Sequence, residues 1–536
     1  MKTISTLISV ASLLILSACG EKVEPTTEKA EAPKVVSVNP ENGVKDVNYE
    51  TELTVSINYD QNIKCLLEDQ KRIGVDNGAE IIKINPYNTQ LSITVGKLES
   101  GVSYTVNIPD GAVKGFKENQ DGAAAYSFCF TTKAKPEEPD PDTLPTPGDN
   151  AAWKQLKKLG LGFNFGNHFD AFFNGTWAGD KFLFPDETCW GNGKITETTM
   201  TSLYVAGFRT VRIPITWLKM IGDAPEYKIN EEWMSRIKEV VAWAREAGLN
   251  VIINTHHDED HYFGNESLGH RWLNIMDATT SETVNAQVKE QIKRVWTNIA
   301  NEFKNEGDYL IFESFNEIND GKWGASANSS KQAQVLNQWN QVFVDAVRAT
   351  GGNNATRWLG VPTYCASIGF IKDFVLPTDP AGKTMLAVHS YDPYNFTLAE
   401  GLPQKKWGHT YNNNPNDEKY IREQMSILYT NFVAKGIPVY LGEFGCSMRE
   451  YNTSEWKNYK YYLEYFVKAA KTFGVPCFLW DNGNKGAGSE HHAYIDHATG
   501  AYIDHSKEVI DVMVKAMYDE SASYTLESVY ENATRQ

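Results

Sequence analysis

Residues 309–320 read YLIFESFNEIND. Tyr309, Leu310, Ile311 and Phe312 have the character of a buried strand, yet the run ends on an amide and a carboxylate, Asn316 and Glu317. The same text recurs from 151 to about 520. GLGFNFGN (160–167), FRTVRIPI (208–215), NVIINTHH (250–257), RWLGVPTY (357–364), KTMLAVHSY (383–391), IPVYLGEFG (437–445) and VPCFLWDNG (475–483) are further strand-like runs. Helix-like runs separate them. After the second, Ile237, Val240, Val241 and Ala244 repeat at helical spacing and Gly248 stops the helix. Others fall at 281–306, 330–350, 416–435, 453–473 and 505–519, and the fifth unit has the least defined helix. Eight strand–helix units predict an α/β fold, a (β/α)8 TIM barrel. An open doubly wound sheet is the alternative, but no Gly-rich phosphate loop follows the first strand.

In such a barrel the site lies at the carboxyl ends of the strands. The tips carry Arg212, then His256-His257-Asp258, Asn316-Glu317, His389-Ser390-Tyr391-Asp392, Glu443, and Trp480-Asp481-Asn482. Glu317 and Glu443 stand 126 residues apart on strands four and seven. Two carboxylates facing each other across a mouth can cleave a glycosidic bond: one protonates the leaving oxygen while the other attacks the anomeric carbon or activates water. Taken singly, Arg212 also suits an ion pair inside the barrel, Trp480 a place in the core, and His256 and His389 structural roles. Glu313, four residues before Glu317, is expected to be a buried, paired structural carboxylate. Tyr204, Trp233, Trp243 and Trp296 sit in helical patterns and should pack helices on the barrel. Trp323, Trp407 and Tyr394 lie in loops and are candidates to stack sugars at the mouth.

HHDEDH (256–261) offers metal-binding side chains. Adjacent residues of one strand point to opposite faces, and the missing ligands would have to be Glu317, Glu443 and His389. The expectation is no metal and no cofactor.

At these tips the chain resembles glycoside hydrolase family 5, and within it subfamily 4, the endo-β-1,4-glucanases and xyloglucanases. The resemblance rests on GLGFNFGNHFDA (160–171), ETCWGN (187–192), GFRTVRIPITW (207–217), VIINTHHD (251–258), IFESFNE (311–317), HSYDPYNF (389–396), LGEFG (441–445) and WDNG (480–483), in family order. It implies a retaining double displacement with Glu317 as acid/base and Glu443 as nucleophile. Arg212 and Tyr391 would hold that nucleophile ionised, and Asn316 would bind the sugar 2-hydroxyl. His389 would sit beside the acid/base, His256 would contact the reacting sugar, and Trp480 would floor its subsite. His257, Asn167, Trp190 and Trp217 are further candidates on the glycone side. Subfamily likeness favours β-1,4-glucans, namely cellulose, mixed-linkage glucan or xyloglucan. A β-1,4-mannanase, or a non-catalytic surface glycan-binding lipoprotein, are the alternatives.

The remaining chain reads as accessory. Residues 1–18 form a sorting signal with Lys2 and the apolar run Leu7–Leu16, and Leu16-Ser17-Ala18-Cys19 resembles the bacterial lipobox. That resemblance implies a lipid anchor on Cys19. Gly20, rather than Asp, points to the outer membrane; a plain secretory signal is the alternative. Residues 19–32 read as a polar tether. Short alternating runs at 51–60, 79–87, 91–98, 102–109 and 124–132 predict an all-β sandwich over 33–132, and VVSVNPENGVKDV resembles bacterial Ig-like domains. A spacer role is expected there ahead of carbohydrate binding. Five prolines in 133–150 mark a linker, and 521–536 is a C-terminal tail. Past Cys19, Cys65 and Cys129 either bridge the sandwich or, with the other four cysteines, stay free. A formal charge of −17 argues against a nucleic-acid partner. A monomer acting on polysaccharide is the expectation.

Overall fold

The computed structural model describes residues 29–49, 51–117, 119–134, 150–172, 186–259, 272–414 and 416–533. The signal segment with Cys19, most of the tether and nearly all of the linker lie outside the described residues. Two compact units emerge, Met1–Lys135 and Pro136–Gln536. No helix among the described residues is long and apolar enough to cross a membrane.

In the first unit two four-stranded sheets enclose an apolar core. Leu53–Tyr59 pairs with Val35–Asn39 on one side and Gln90–Gly96 on the other, and Glu80–Tyr87 completes that sheet. Ser103–Ile108 and Tyr126–Thr132 form the antiparallel centre of the second. Alternation places Val55, Ile57, Leu91, Ile93, Val95, Phe128 and Phe130 inside. Cys65 and Cys129 are not joined: Cys65 is buried, whereas Cys129 is exposed and its thiol donates to Asn42 Oδ1 at 3.2 Å.

The second unit is a closed barrel of eight strands paired in sequence order. They span Leu161–Phe165, Thr210–Ile213, Asn250–Ile253, Leu310–Glu313, Leu359–Ser367, Thr384–Ser390, Val439–Phe444 and Cys477–Asp481. Neighbours run parallel, with Phe163 opposite Val211 and Leu479, and His389 opposite Glu443. Outward residues such as Val251, Ile253, Leu310 and Phe312 pack under the helices. Inward residues Ile252, Ile311, Met385, Ala387 and Phe478 fill the barrel, with Leu159 in the same cluster. Helices cover the strands at Glu197–Ala206, Glu231–Glu246, Glu282–Glu302, Ser329–Ala349, Asn416–Asn431, Ser454–Thr472 and Ser506–Tyr518. Thr196 caps the first of these, its side chain accepting from the Thr199 amide. The fifth crossover has no α-helix, only the 3-10 turn Ile368–Phe370.

Two segments depart from expectation. Ala151–Leu159 is a helix capped by Asn150, where no element was anticipated. The C-terminal stretch is more than a tail: it contains a helix, Leu526–Glu531, whose Val529 and the neighbouring Ala533 join the barrel's outer core.

Candidate active site

The apolar strand 309–313 meets its first polar group at Glu313, not at Asn316. The fourth strand stops at Glu313, whose side chain is inward and fully buried. Arg212 on the second strand supplies its counter-charge, with Nη2 2.7 Å from Glu313 Oε1 and neither side chain exposed. Asn254 Nδ2 donates to the same oxygen at 3.0 Å and the Tyr440 hydroxyl to Oε2 at 2.7 Å. Gly360 makes room for that hydroxyl, since a Cβ there would stand 2.0 Å from it. A charged layer thus sits directly above the hydrophobic filling of the barrel, and each buried charge has partners.

Arg212 also reaches upward. Its Nη1 donates to Glu443 Oε1 at 2.7 Å and to Asn164 Oδ1 at 3.0 Å, and Nη2 donates to Asn316 Oδ1 at 2.8 Å. The Tyr391 hydroxyl donates to Glu443 Oε2 at 3.0 Å. Burial alone would raise the Glu443 carboxyl. The charges of His389 and Arg212, with the hydrogen bonds from Arg212 and Tyr391, outweigh that and hold it below the usual range.

Glu317 is held differently. It lies four residues past the strand end, is partly exposed, and has His389 Nδ1 2.7 Å from its Oε1. Burial pushes its carboxyl upward, and His389 pulls back only in part. The His389 ring is itself raised: burial opposes its charge, but Glu443 and Glu317 more than offset it. Donor atoms of Glu317, His389 and Glu443 all lie within 4.8 Å of one another. That spacing suits an attacking carboxylate opposite an acid, where about 5 Å separates the pair in retaining glycosidases.

Trp480, one residue before the end of the eighth strand, lies beside His256, the rings nearly parallel at 6° with centroids 6.0 Å apart. Gly166 leaves the indole its space, since a Cβ would lie 2.6 Å from Cζ2. His256 is driven strongly toward its neutral form, first by burial and then by His257, Arg212 and His389. His257 contacts Phe172 and Trp190, whose ring centroids are each 5.8 Å away. Asn167 begins the loop after the first strand in a left-handed conformation, φ 61°.

Other expectations need correction. His256 and His257 do lie on one side, and with Asp170 their donor atoms fall within 4.8 Å. The third strand ends at Ile253, so strand alternation does not govern them. This trio and the Glu317–His389–Glu443 trio are the groups of described residues that could hold a metal ion. Asp258 serves structure instead, accepting from the Trp217 amide and the Trp272 indole. Trp217 is fully buried with its indole donating to Asn254 O, so it offers no face to a sugar. Trp407 likewise packs among Tyr461, Tyr462 and Tyr465. Trp323 and Tyr394 are 53% and 57% exposed. Tyr204, Trp233 and Trp296 are buried and Trp243 packs against the core, as their helical spacing implied.

Several supporting contacts have no local signature. Asp481 is locked below the mouth, accepting from the Gly483, Tyr494 and Ile495 amides. His497 lies 3.1 Å from it and 2.6 Å from His168, which is 329 residues away in sequence.

Residues 176–486 match the family Cellulase (glycosyl hydrolase family 5). The chain belongs to glycoside hydrolase family 5. In this family 5 enzyme, residues 29–132 match the Bacterial Ig-like domain. Endoglucanase A of Paenibacillus barcinonensis is 36% identical over 347 residues, 61% of this chain and 82% of that protein. The xyloglucan-specific endo-beta-1,4-glucanase BoGH5A of Bacteroides ovatus is 32% identical over 354 residues, 62% of this chain and 67% of its own length. Among solved structures, a GH5-4 broad specificity endoglucanase from Bacteroides salanitronis is 44% identical with a TM-score of 0.63. The match covers 69% of this chain and 96% of that one.

Proposed function

We propose that this chain is a retaining endo-glycoside hydrolase of β-1,4-glucan backbones, with Glu317 as acid/base and Glu443 as nucleophile. The observation that carries the assignment is the asymmetry of two carboxyls within 4.8 Å: Glu317 is raised and Glu443 lowered. The protonated Glu317 gives its proton to the glycosidic oxygen while Glu443 attacks the anomeric carbon and forms a glycosyl ester. Glu317, now ionised, takes a proton from water, which breaks the ester with net retention. Arg212 occupies Asn316 Oδ1, which leaves the Asn316 amide protons for a sugar 2-hydroxyl. The relatives named endoglucanase and xyloglucan-specific endoglucanase support the substrate class.

The pH dependence follows in sign. Activity falls as pH drops through the lowered Glu443 value, because the nucleophile gains a proton. It falls again as pH rises through the raised Glu317 value, because the acid loses one. Products from a panel of barley β-glucan, carboxymethylcellulose, xyloglucan and mannan test the assignment, with proton NMR of the first-formed anomer. β-Anomer from a glucan backbone is expected; α-anomer first, or cleavage of mannan alone, overturns it.

The lipobox at Leu16–Cys19 supports a second statement, that Cys19 carries a lipid anchoring this enzyme in the outer membrane. Palmitate labelling of the expressed protein, lost in Cys19→Ala, is the expected result. Action as a monomer is part of the same proposal, and light scattering in solution tests it.

A further inference from the structure

One amide joins the charged layer to the histidine above it. Asn254 follows the third strand and is fully buried. Its Oδ1 accepts from the Ile215 amide at 3.0 Å. Its Nδ2 donates to Glu313 Oε1 at 3.0 Å and lies 3.2 Å from His256 Nδ1. A carboxamide turned end for end would fill the same space, but here the partners decide between the two orientations. A backbone N–H can only donate, so the atom facing Ile215 is the oxygen. The carboxylate paired with Arg212 can only accept, so the atom facing Glu313 is the nitrogen. The Asn254 backbone is fixed as well, its carbonyl accepting from the Trp217 indole at 2.8 Å.

This arrangement dictates where the neighbouring ring carries its proton. One Nδ2 hydrogen goes to Glu313, the second faces His256 Nδ1, and Nδ2 has no lone pair with which to accept. His256 Nδ1 is therefore the acceptor. A proton there would set N–H against N–H at 3.2 Å between two buried side chains. With Nδ1 bare, the proton of the neutral ring sits on Nε2. Among the described residues Nε2 has no hydrogen bond of its own. The ring stands at the mouth: it lies parallel to Trp480, and the Thr255 carbonyl just before it accepts the Asn316 amide at 2.8 Å, one residue from Glu317.

We propose that Asn254 is a positioning residue for glucan hydrolysis: it holds His256 in the tautomer with the proton on Nε2, so that the ring meets the reacting sugar as a hydrogen-bond donor to a hydroxyl oxygen. The inference rests on the glucanase function stated above. The direction of this bond matters for recognition. A hydroxyl that accepts from His256 keeps its own proton for another partner, whereas the other tautomer would offer it a lone pair and claim that proton. Glu313 thereby has a second task, since it anchors the amide that sets the ring.

Ring-nitrogen NMR of the full chain carrying isotope-labelled histidine reads the tautomer without turnover, and His256→Gln identifies the signal by its loss. The wild type should show a protonated Nε2 and a bare Nδ1 for His256; a protonated Nδ1 overturns the proposal. In Asn254→Ala the ring should spread over both tautomers, and KM for barley β-glucan should rise about fivefold, the order of one neutral hydrogen bond, with kcat changed less. A folded Asn254→Ala enzyme that keeps the wild-type ring signals, or the wild-type KM, overturns the role of Asn254. If that variant does not fold, the Glu317→Gln variant decides: cellotetraose should shift the Nε2 proton of His256, and an unmoved proton overturns the donor role. A wild type that cleaves no glucan takes down the glucanase function and the sugar contact with it, a failure separate from that of the tautomer.

Discussion

The sandwich and the barrel are both closed by strands, but they bury different things. In the sandwich the interior is Val, Ile, Leu and Phe, and the buried polar residues described there are Asp69 and Thr132. The barrel has an equally apolar filling, then a dry layer of opposed charges: Arg212, Glu313 and, above them, Glu443. Alternating apolar residues are enough to close either core. The sandwich's one buried carboxylate, among the described residues, is Asp69, which pairs with the partly exposed Arg72 and Lys114; catalysis asks for a carboxylate deeper than that and still ionised. Burying ions is unfavourable unless each is paired and hydrogen-bonded, so the site needs a network rather than two acids. Arg212 is its hub, binding the structural Glu313 on one side and Glu443 on the other.

The largest effect should come from the reacting groups. Glu443→Gln removes the proposed nucleophile while leaving Arg212 paired with Glu313, so hydrolysis of soluble β-glucan should fall on the order of 10³-fold or more. The melting temperature should stay within a few degrees of wild type. A near-wild-type rate would place the nucleophile elsewhere. Glu317→Gln should lose comparable activity on polysaccharide, where the leaving group needs its proton.

Arg212→Met breaks the network itself. Glu313 then becomes a buried charge with no cation, and the barrel should lose about 3–5 kcal/mol in denaturant unfolding. Adding Glu313→Gln removes that charge and should restore much of the stability. Activity should not return, because Glu443 still lacks its counter-ion. If Arg212→Met unfolds like wild type, the charged layer is not what the geometry says it is.

The sandwich should behave in the opposite way. Ile57→Ala opens a cavity in an apolar core and should destabilise that unit by about 2–5 kcal/mol. Hydrolysis of a soluble glucan should stay within about twofold of wild type. A proportionate loss of kcat would show that the two units share more than a chain.

Much of this was legible in the sequence, for a physical reason. Strand tips carry local information: an apolar run that stops at a carboxylate, a His or a Trp marks both the fold and the side of the barrel where chemistry occurs. So the eight strands, Glu317, Glu443, Arg212, His389, Tyr391 and the pairing of Glu313 could all be reached from local text or resemblance. Long-range polar contacts could not. Asn164 meets Arg212, Tyr440 meets Glu313 and His168 meets His497 only after the barrel closes. Loops failed for a related reason. Trp217 and Trp407 stand in irregular segments, where no period distinguishes an indole facing a sugar from one facing the core. His256 and His257 stand three and four residues beyond the end of the third strand, where strand alternation no longer sets which way a side chain lies.

The smallest expected effect is also the one most specific to the barrel mouth. Trp480 has its position because Gly166 has no side chain: an added methyl would stand 2.6 Å from Cζ2 and 3.0 Å from the Asp481 carbonyl oxygen. The carbonyl cannot yield, since it accepts the Gly166 amide at 2.8 Å and Asp481 is locked from three sides. The indole is the part that moves. Gly166→Ala should therefore tilt Trp480 away from the reacting sugar and raise KM several-fold, on the order of 1 kcal/mol of lost stacking. The carboxylates are untouched, so kcat should fall less than KM rises, and the pH profile should keep both limbs. A kcat loss with an unchanged KM would mean that Trp480 orders the reacting pair instead of carrying the sugar.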